Sequence, residues 1–145
     1  MPTTAVGGRW LLVRLGEHRL GLPMEAVREV VPGRARYTPL PGAGAYAVGV
    51  DNLRGRLLTV LDLGVLVVGQ PAASGEHSVV VVEAEGRVFG LAVDGVERMV
   101  TAEVEPADAL RAFGFEGAFV RGLGALPDGA FVALAPEVWA RSLFI

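Results

Sequence analysis

The sequence predicts an all-β protein made of two small five-stranded barrels. Two observations lead to this fold class. The 20 glycines and nine prolines of the 145-residue chain fall between short β-prone runs, which is typical of barrels and sandwiches and not of strands that alternate with long helices. The second half of the chain also repeats the first. Each half has about 70 residues, and five short strands of that total length close best as a barrel, because closure removes exposed strand edges.

Five strands are expected in the first half, at residues 10–15, 18–22, 27–31, 48–52 and 56–61. A tight turn at Gly16 and Glu17 joins the first two strands. Residues 23–26 have room for about one helical turn before the third strand. A proline-rich loop over residues 37–45 separates the third strand from the fourth.

The second half matches the first at fixed offsets. Placing Gly21 on Gly90 aligns 11 positions at an offset of 69, and residues 131–134 match residues 57–60 at an offset of 74. Strands are expected at residues 79–82, 88–91, 96–100 and 131–134, followed by a short helix at 136–144 that begins at Pro136. We expect one barrel over about residues 9–72 and the other over 73–145, with the N-terminal strand or the C-terminal helix able to cross over. A chance likeness of β-rich segments is the alternative.

Composition excludes several chemistries. The chain has no cysteine, so it has no disulfide and no thiolate metal site, as in a reducing compartment. All 13 basic residues are arginine, which removes phosphate-loop and Schiff-base chemistry that needs a lysine amine. The most apolar stretch, residues 57–68, contains Asp62 and is shorter than the roughly 20 apolar residues of a membrane-spanning helix. No signal peptide is evident. We therefore expect a cytoplasmic protein without membrane insertion.

Candidate catalytic groups are few. His77 lies in a polar loop with Ser74, Glu76 and Ser78 and could form a hydroxyl–imidazole–carboxylate group, although these residue types are common in linkers. Residues 42–47 fit the pattern G-x-G-x-x-A, but prolines precede them and a β-run follows, which indicates a loop and not a dinucleotide site. No catalytic, metal or cofactor site is predicted.

Charge is unevenly distributed along the chain. Residues 1–72 carry eight arginines and five acidic residues, whereas residues 73–145 carry five arginines and 11 acidic residues. The basic half has no dense arginine stripe, which disfavours nucleic-acid binding. The asymmetry instead suits head-to-tail association, in which the positive half of one copy meets the negative half of another.

The most distinctive segment is residues 48–63. A glycine-valine pair, an Asn-Leu-Arg-Gly box and an apolar strand that ends in Asp-Leu follow one another here, at Gly49, Val50, Asn52, Leu53, Arg54, Gly55, Asp62 and Leu63. This segment resembles the CheW family of chemotaxis coupling proteins. Residues 22–31 and 90–96 resemble two further segments of that family, and residues 121–126 resemble its second-half G-x-G-x-L loop. The resemblance covers about residues 9–142.

The resemblance implies two SH3-like barrels side by side, with short helical turns and a short C-terminal helix. It also implies a scaffold without catalytic activity or cofactor, which couples the regulatory domain of a CheA-type histidine kinase to the cytoplasmic hairpin tip of methyl-accepting chemoreceptors. The groove between the barrels would receive the receptor, and the barrel ends would meet the kinase domain. The alternatives are an adaptor of another chemosensory pathway, such as pilus-based motility, and a small-barrel module that binds nucleic acid or a ligand.

The resemblance also marks candidate partner-binding residues. They are Val27, Glu29, Gly49, Asn52, Arg54, Gly55, Gly90 and Gly122. Each has a structural alternative: Val27 could be core, Glu29 and Arg54 could form an ion pair, Asn52 could satisfy backbone groups at a corner, and the glycines could serve turns and close contacts. Two departures from the family pattern, Gly64 after Asp62-Leu63 and Ala135-Pro136 after the last apolar run, bear on which partners are bound.

Overall fold

A computed structural model describes residues 6–106 and 119–143 of the chain. In these ranges the predominantly β fold is confirmed. The strands are β1 Val6–Leu15, β2 His18–Pro23, β3 Val27–Pro32, β4 Ala47–Leu53, β5 Arg56–Asp62, β6 Ser78–Ala84, β7 Arg87–Val93, β8 Gly95–Pro106, β9 Val120–Leu126 and β10 Gly129–Leu134. Two helices complete the fold: α1 Leu63–Val67 and α2 Pro136–Leu143. A 3-10 turn at Met24–Ala26 joins β2 to β3.

Each predicted strand lies within an observed strand. Two elements were not predicted: β9, where the family resemblance placed a loop over residues 121–126, and the short helix α1. The C-terminal helix is present to Leu143, and Phe144 and Ile145 lie outside the described residues.

The strands form two sheets with the same internal order. The first is a closed barrel in the order β1-β2-β10-β9-β8, and the second is a five-stranded sheet in the order β3-β6-β7-β5-β4. If β1, β2, β8, β9 and β10 are replaced by β6, β7, β3, β4 and β5, four of the five pairings of the barrel become those of the second sheet. The fifth, β8 with β9, would correspond to β3 with β4, which are the two edges of the second sheet. The repeat seen in the sequence is therefore a repeat of topology.

The sheets do not correspond to the two halves of the sequence. Strands β1 and β2 from the first half complete the barrel of β8, β9 and β10, while β6 and β7 from the second half join β3, β4 and β5. The exchange is made by two parallel pairs, each of which joins strands from different halves of the sequence. Strand β10 pairs with β2, and β5 pairs with β7. The boundary expected near residue 72 thus does not separate the barrels.

The exchange also changes the charge argument. The strands of the barrel carry five arginines and three glutamates, and those of the second sheet carry three arginines and four carboxylates. The large difference between the sequence halves is therefore not a difference between the two sheets, and it gives no support to head-to-tail association.

Strand register corrects one of the two sequence offsets. The offset of 69 holds, since Val13 pairs with Val96 and the equivalent Val82 pairs with Val27. The second offset is 73 and not 74, because Val60 lies opposite Gly90 and Ala133 lies opposite Gly21. The offset of 74 aligned two turn glycines, Gly55 and Gly129. In a strand, alternation fixes which residues face inward, so an alignment that is wrong by one residue would turn every side chain to the other face.

Three hydrophobic clusters hold the fold together. The largest lies between the two sheets, where outward side chains of β1, β2 and β10 meet those of β5, β6 and β7, together with Trp139 of α2. The other two fill the interiors, with Trp10 and Phe131 inside the barrel and Leu58 and Val60 inside the second sheet. Because successive residues of a strand point to opposite faces, each of these strands is buried on both sides.

Glycines permit close backbone contacts where the barrel closes and where the second sheet curls round. A Cβ on Gly122 would lie 1.7 Å from the carbonyl oxygen of Glu105 in β8, and a Cβ on Gly49 would lie 2.4 Å from the carbonyl oxygen of Thr38. Closure is more complete in the barrel, where β8 and β9 form three residue pairs. Strand β3 ends at Pro32, and the chain that follows pairs with β4 through an isolated bridge between Thr38 and Val50.

Asp62 organises the connection that follows β5. Its buried carboxylate caps α1 by accepting a hydrogen bond from the Val65 amide and also accepts from the amides of Ala72 and Ala73. Gly64 allows the returning chain to pack closely, since a Cβ there would lie 2.1 Å from the carbonyl oxygen of Gln70. This contact is a structural reason for glycine at position 64, one of the two departures from the family pattern.

Candidate partner-binding site

A cavity of about 470 Å³ opens at one end of the second sheet. All five strands or their turns contribute to it, so it is the open end of a curled sheet and not a cleft between domains. We call it the mouth. Its lining residues are Arg28, Glu29, Leu53, Arg54, Arg56, Leu57, Leu58, Val81, Glu83 and Val88.

Exposed apolar side chains set the mouth apart from an ordinary polar surface. Leu57 is 81% exposed and Val88 is 51% exposed, and they lie on the neighbouring parallel strands β5 and β7. Single exposed apolar residues are common on proteins. Two of them beside a cavity floored by buried Leu58 and Val81 form an apolar patch of the kind found at protein interfaces.

The Asn-Leu-Arg-Gly box forms the turn at the rim of the mouth. The side-chain oxygen of Asn52 accepts a hydrogen bond from the Gly55 amide at 2.8 Å, and Gly55 has a φ of 84°. Arg54 also has a positive φ, of 53°, which an arginine seldom adopts. The turn thereby directs the guanidinium of Arg54 to Glu29 on β3, with which it forms an ion pair.

Two ion pairs span the strands at this end. The hydrogen bond that Arg54 donates to the Glu29 carboxylate raises the pKa of Arg54 above its ordinary value. Arg28 pairs with Glu83 of β6, at 2.9 Å between Nε and Oε1. Both pairs are largely exposed, so they orient side chains more than they stabilise the fold. With Arg56 added, the rim carries three arginines and two glutamates.

The structure divides the predicted site residues into two groups. Glu29, Asn52, Arg54 and Gly55 come together at the mouth. The other four occupy packing positions. Val27 packs against the core between the sheets, Gly90 lies where a Cβ would be 2.7 Å from a methyl group of Val79, and Gly49 and Gly122 lie at the closures described above.

The equivalent end of the barrel is different in character. At an offset of 69, Arg19 stands where the mouth has Val88, and Glu97 and Arg98 stand where it has Arg28 and Glu29. Arg19 and Arg98 pair with Glu97 and Asp128 in a network of four charged side chains. The hydrogen bond that Arg19 donates to the Glu97 carboxylate raises the pKa of Arg19. The mouth has apolar Val88 where the barrel end has charged Arg19, so the two ends are not interchangeable.

A second exposed apolar feature includes none of the residues that the family resemblance marked. Val30 and Met99 are equivalent positions, 43% and 48% exposed. They pair with Val80 and Leu11, which are buried between the sheets. Since directly paired residues point to the same face, Val30 and Met99 extend the core between the sheets to the surface. The offset of 69 aligns these two positions in the sequence, but it does not show that they are exposed.

His77 does not form the catalytic group considered from the sequence. It is buried, and its two ring nitrogens are each 2.7 Å from a partner, the hydroxyl of Tyr37 and the carbonyl oxygen of Gly75. The imidazole is thus engaged by groups other than Ser74 and Ser78. Within residues 6–106 and 119–143, no group of three or more acidic or histidine side chains is placed to hold a metal ion.

No helix in the described part of the chain is both long enough and apolar enough to cross a membrane.

Comparison with known proteins agrees with this fold. A family model described as a CheW-like domain matches residues 9–138. The chemotaxis protein CheW of Rhizobium meliloti is 36% identical over 134 residues, which cover 88% of this chain and 84% of that protein. The protein PilI of Pseudomonas aeruginosa is 40% identical over 84 residues, 57% of this chain and 47% of PilI. The crystal structure of the scaffolding protein TtCheW from Thermoanaerobacter tengcongensis matches with a TM-score of 0.77 at 26% identity, covering 90% of each chain.

Proposed function

This chain belongs to the CheW family of non-enzymatic scaffold proteins of chemotaxis, and from that premise we propose that it couples a CheA-type histidine kinase to the cytoplasmic hairpin tip of chemoreceptors. The observation that carries the proposal is the mouth, an apolar surface whose rim is formed by the Asn-Leu-Arg-Gly box of the family. In this role the protein works in the cytoplasm, held at membrane receptor arrays by its partners.

The mouth is the proposed docking surface for the regulatory domain of the kinase. Leu57 and Val88 supply exposed apolar area that becomes favourable when it is covered. Arg54 and Glu29 set the charge at the rim, which contributes more to orientation and association rate than to affinity. Buried aromatic or aliphatic anchors surrounded by polar rims are the usual arrangement of protein interfaces.

The receptor is assigned to the second apolar feature. Val30 and Met99 continue the core between the sheets to the surface, and this is where an amphipathic helix of a receptor hairpin would find apolar contacts. Separate surfaces for the two partners are what a coupling protein needs, because both must be bound at once.

Head-to-tail self-association rests on the two sheet ends and not on the two sequence halves. Arg28 and Glu29 at the mouth correspond to Glu97 and Arg98 at the barrel end, so the mouth of one copy and the barrel end of another carry reversed charges at matched positions. A heterologous contact of this kind builds rings or filaments. Sedimentation velocity at low and high salt tests it, and a sedimentation coefficient that does not change with concentration or salt would exclude it.

A different chemosensory pathway is the second candidate, favoured by the similarity to PilI. The same surfaces would then bind a different kinase and receptor. Affinity measured against the kinase domains of each pathway in the organism distinguishes the two candidates.

A single substitution tests the docking surface. We expect Leu57→Arg to reduce kinase-domain affinity at least tenfold, because it places a charge in the centre of the apolar patch. Leu57 is 81% exposed, so the fold should be unaffected. Arg19→Ala, at the equivalent end of the barrel, is the matched control and should bind normally. Equal affinity of Leu57→Arg and the wild type, measured by isothermal titration calorimetry, would remove the mouth as the docking surface.

A further inference from the structure

A cavity of about 280 Å³ lies at the barrel and takes no part in the proposed function. It is formed where β1 runs beside the 3-10 turn that follows β2, and it shares no lining residue with the mouth. We call it the Trp10 cavity. The residues of its lining that matter here are Gly8, Arg9, Trp10, Met24, Glu25 and Arg121.

The indole N–H of Trp10 is the feature that points to a ligand. Trp10 is buried, and in the described part of the chain its Nε1 is the one buried side-chain nitrogen or oxygen without a hydrogen-bond partner. A buried polar group without a partner is costly and uncommon in native structures, so it needs a specific explanation. An indole nitrogen donates and cannot accept. The partner that is missing is therefore an acceptor.

The indole nitrogen lies close to the wall of the cavity that Gly8 forms. A Cβ on Gly8 would be 3.6 Å from Nε1. Other parts of the indole already have neighbours, since the ring of Phe131 lies 6.0 Å away and the guanidinium carbon of Arg121 lies 5.8 Å from the ring centroid. The N–H edge beside Gly8 is thus the part of the indole that remains for a ligand.

Two arginines supply further donors. Arg9 is exposed and has no ion pair within residues 6–106 and 119–143. Arg121 is held over the indole by Glu137 of α2, to which its Nη2 donates at 2.8 Å. Guanidinium groups, like the indole, donate and do not accept. Glu25 also lines the cavity and pairs with neither arginine, so two arginines and one glutamate give the lining a net charge of +1.

We propose that the Trp10 cavity binds a small monocarboxylate, whose oxygens accept hydrogen bonds from the Trp10 indole and the Arg9 guanidinium. The planar fork of a guanidinium matches the two oxygens of a carboxylate. A lining charge of +1 suits a single negative charge better than the roughly −1.5 to −2 of a phosphate group. Pro23 and Met24 add apolar wall for a short hydrocarbon tail. The proposal does not depend on kinase or receptor docking.

The indole N–H resonances of the two tryptophans test this site by NMR. Butyrate is added to isotope-labelled protein at constant ionic strength, and both resonances are followed. A carboxylate acceptor should move the Trp10 indole proton downfield along a saturating curve, with a dissociation constant on the order of 1 mM for so small a ligand. Trp139, buried in the core between the sheets, is the internal control and should not shift. Butyramide, which has the same tail without the charge, and inorganic phosphate should give no saturating shift.

Two variants test the assignment of the binding groups. The methyl group added by Gly8→Ala would make an ordinary contact with Nε1, so it covers the indole N–H without disturbing the fold. Arg9→Gln removes the unpaired positive charge. Each should weaken butyrate binding about tenfold or more. Arg36→Gln removes another exposed arginine, outside the cavity lining, and should bind as the wild type does. Urea unfolding shows whether each variant is folded.

Three results would overturn the proposal. The first is a Trp10 resonance that does not shift with butyrate, or that shifts no more than the Trp139 resonance. The second is an equal response to butyramide or phosphate, which would refute a monocarboxylate as the ligand. The third is wild-type affinity in both Gly8→Ala and Arg9→Gln, which would remove the Trp10 cavity as the binding site.

Discussion

Gly122→Ala tests whether the glycines of the family pattern act in closure or in partner binding. The added Cβ would lie 1.7 Å from the carbonyl oxygen of Glu105 and 2.7 Å from a methyl group of Val104. A backbone oxygen cannot move aside as a side chain can, so β8 and β9 must separate. In the described part of the chain, three residue pairs join β8 to β9 on this side of the barrel.

The cost follows from what separation exposes. Val104 is 2% exposed, and uncovering a valine costs about 1.5 to 3 kcal/mol. Loss of two ladder hydrogen bonds adds about 1 to 3 kcal/mol. We therefore expect Gly122→Ala to lower the free energy of unfolding by about 3 to 5 kcal/mol. At a typical urea m-value of about 2 kcal/mol per molar, the midpoint shifts down by about 2 M.

Gly55→Ala is the matched comparison. A Cβ on Gly55 meets nothing within 4 Å, and only its φ of 84° is unfavourable, which costs about 1 to 2 kcal/mol. Urea unfolding followed by tryptophan fluorescence measures both variants, and calorimetry measures kinase-domain binding of the folded fraction. Wild-type stability of Gly122→Ala combined with lost binding would refute closure as the role of Gly122 and favour direct partner contact.

Three further predictions concern other parts of the molecule. Asp62→Ala leaves the amides of Ala72 and Ala73 without their acceptor and should cost about 3 kcal/mol in urea unfolding, whereas Asp62→Asn, which keeps one acceptor oxygen, should cost less; equal losses would contradict the capping role. Burial raises the pKa of Tyr37, so the folded state holds the phenol proton more tightly than the unfolded state does. The contribution of this proton to the free energy of unfolding is complete below about pH 10 and is lost as the pH rises above it. The wild type should therefore lose more stability than Tyr37→Phe between pH 9 and pH 11, about the ordinary tyrosine pKa, and parallel losses would exclude the effect. Arg54→Ala should weaken kinase or receptor binding in a pull-down while leaving the unfolding midpoint unchanged, because its ion pair is exposed; undiminished retention would remove Arg54 from the interface.

Local sequence signals predicted the strands well because short apolar runs between glycines and prolines report directly on strand formation. Strand β9 was missed because residues 121–126 resemble a loop of the family. In the structure Gly122 and Gly124 leave room for neighbouring strands, since a Cβ on Gly124 would overlap the ring of Phe131. The exchange of hairpins between sheets could not be predicted from the repeat, since two copies of one pattern fit separate or exchanged barrels equally well. Only the parallel pairs of β2 with β10 and β5 with β7 decide between them.

The site was predictable where a motif forms a turn and not where packing creates a surface. The turn from Asn52 to Gly55 was expected, and the ion pair of Arg54 with Glu29 was the structural alternative to partner contact; both are present. Leu57 was assigned to an apolar strand, and nothing in its local sequence shows that it faces outward while Leu58 faces inward. That distinction comes from register, which depends on strands far away in the chain.

Kinase activation in a reconstituted mixture tests the central claim most directly. The purified protein, a CheA-type kinase and a receptor signalling tip are combined, and phosphorylation of the kinase is measured with each component omitted in turn. A coupling scaffold predicts activation that needs all three components and is lost with Leu57→Arg but retained with Arg19→Ala. Activation that is the same without this protein, with cognate partners present, would contradict the account.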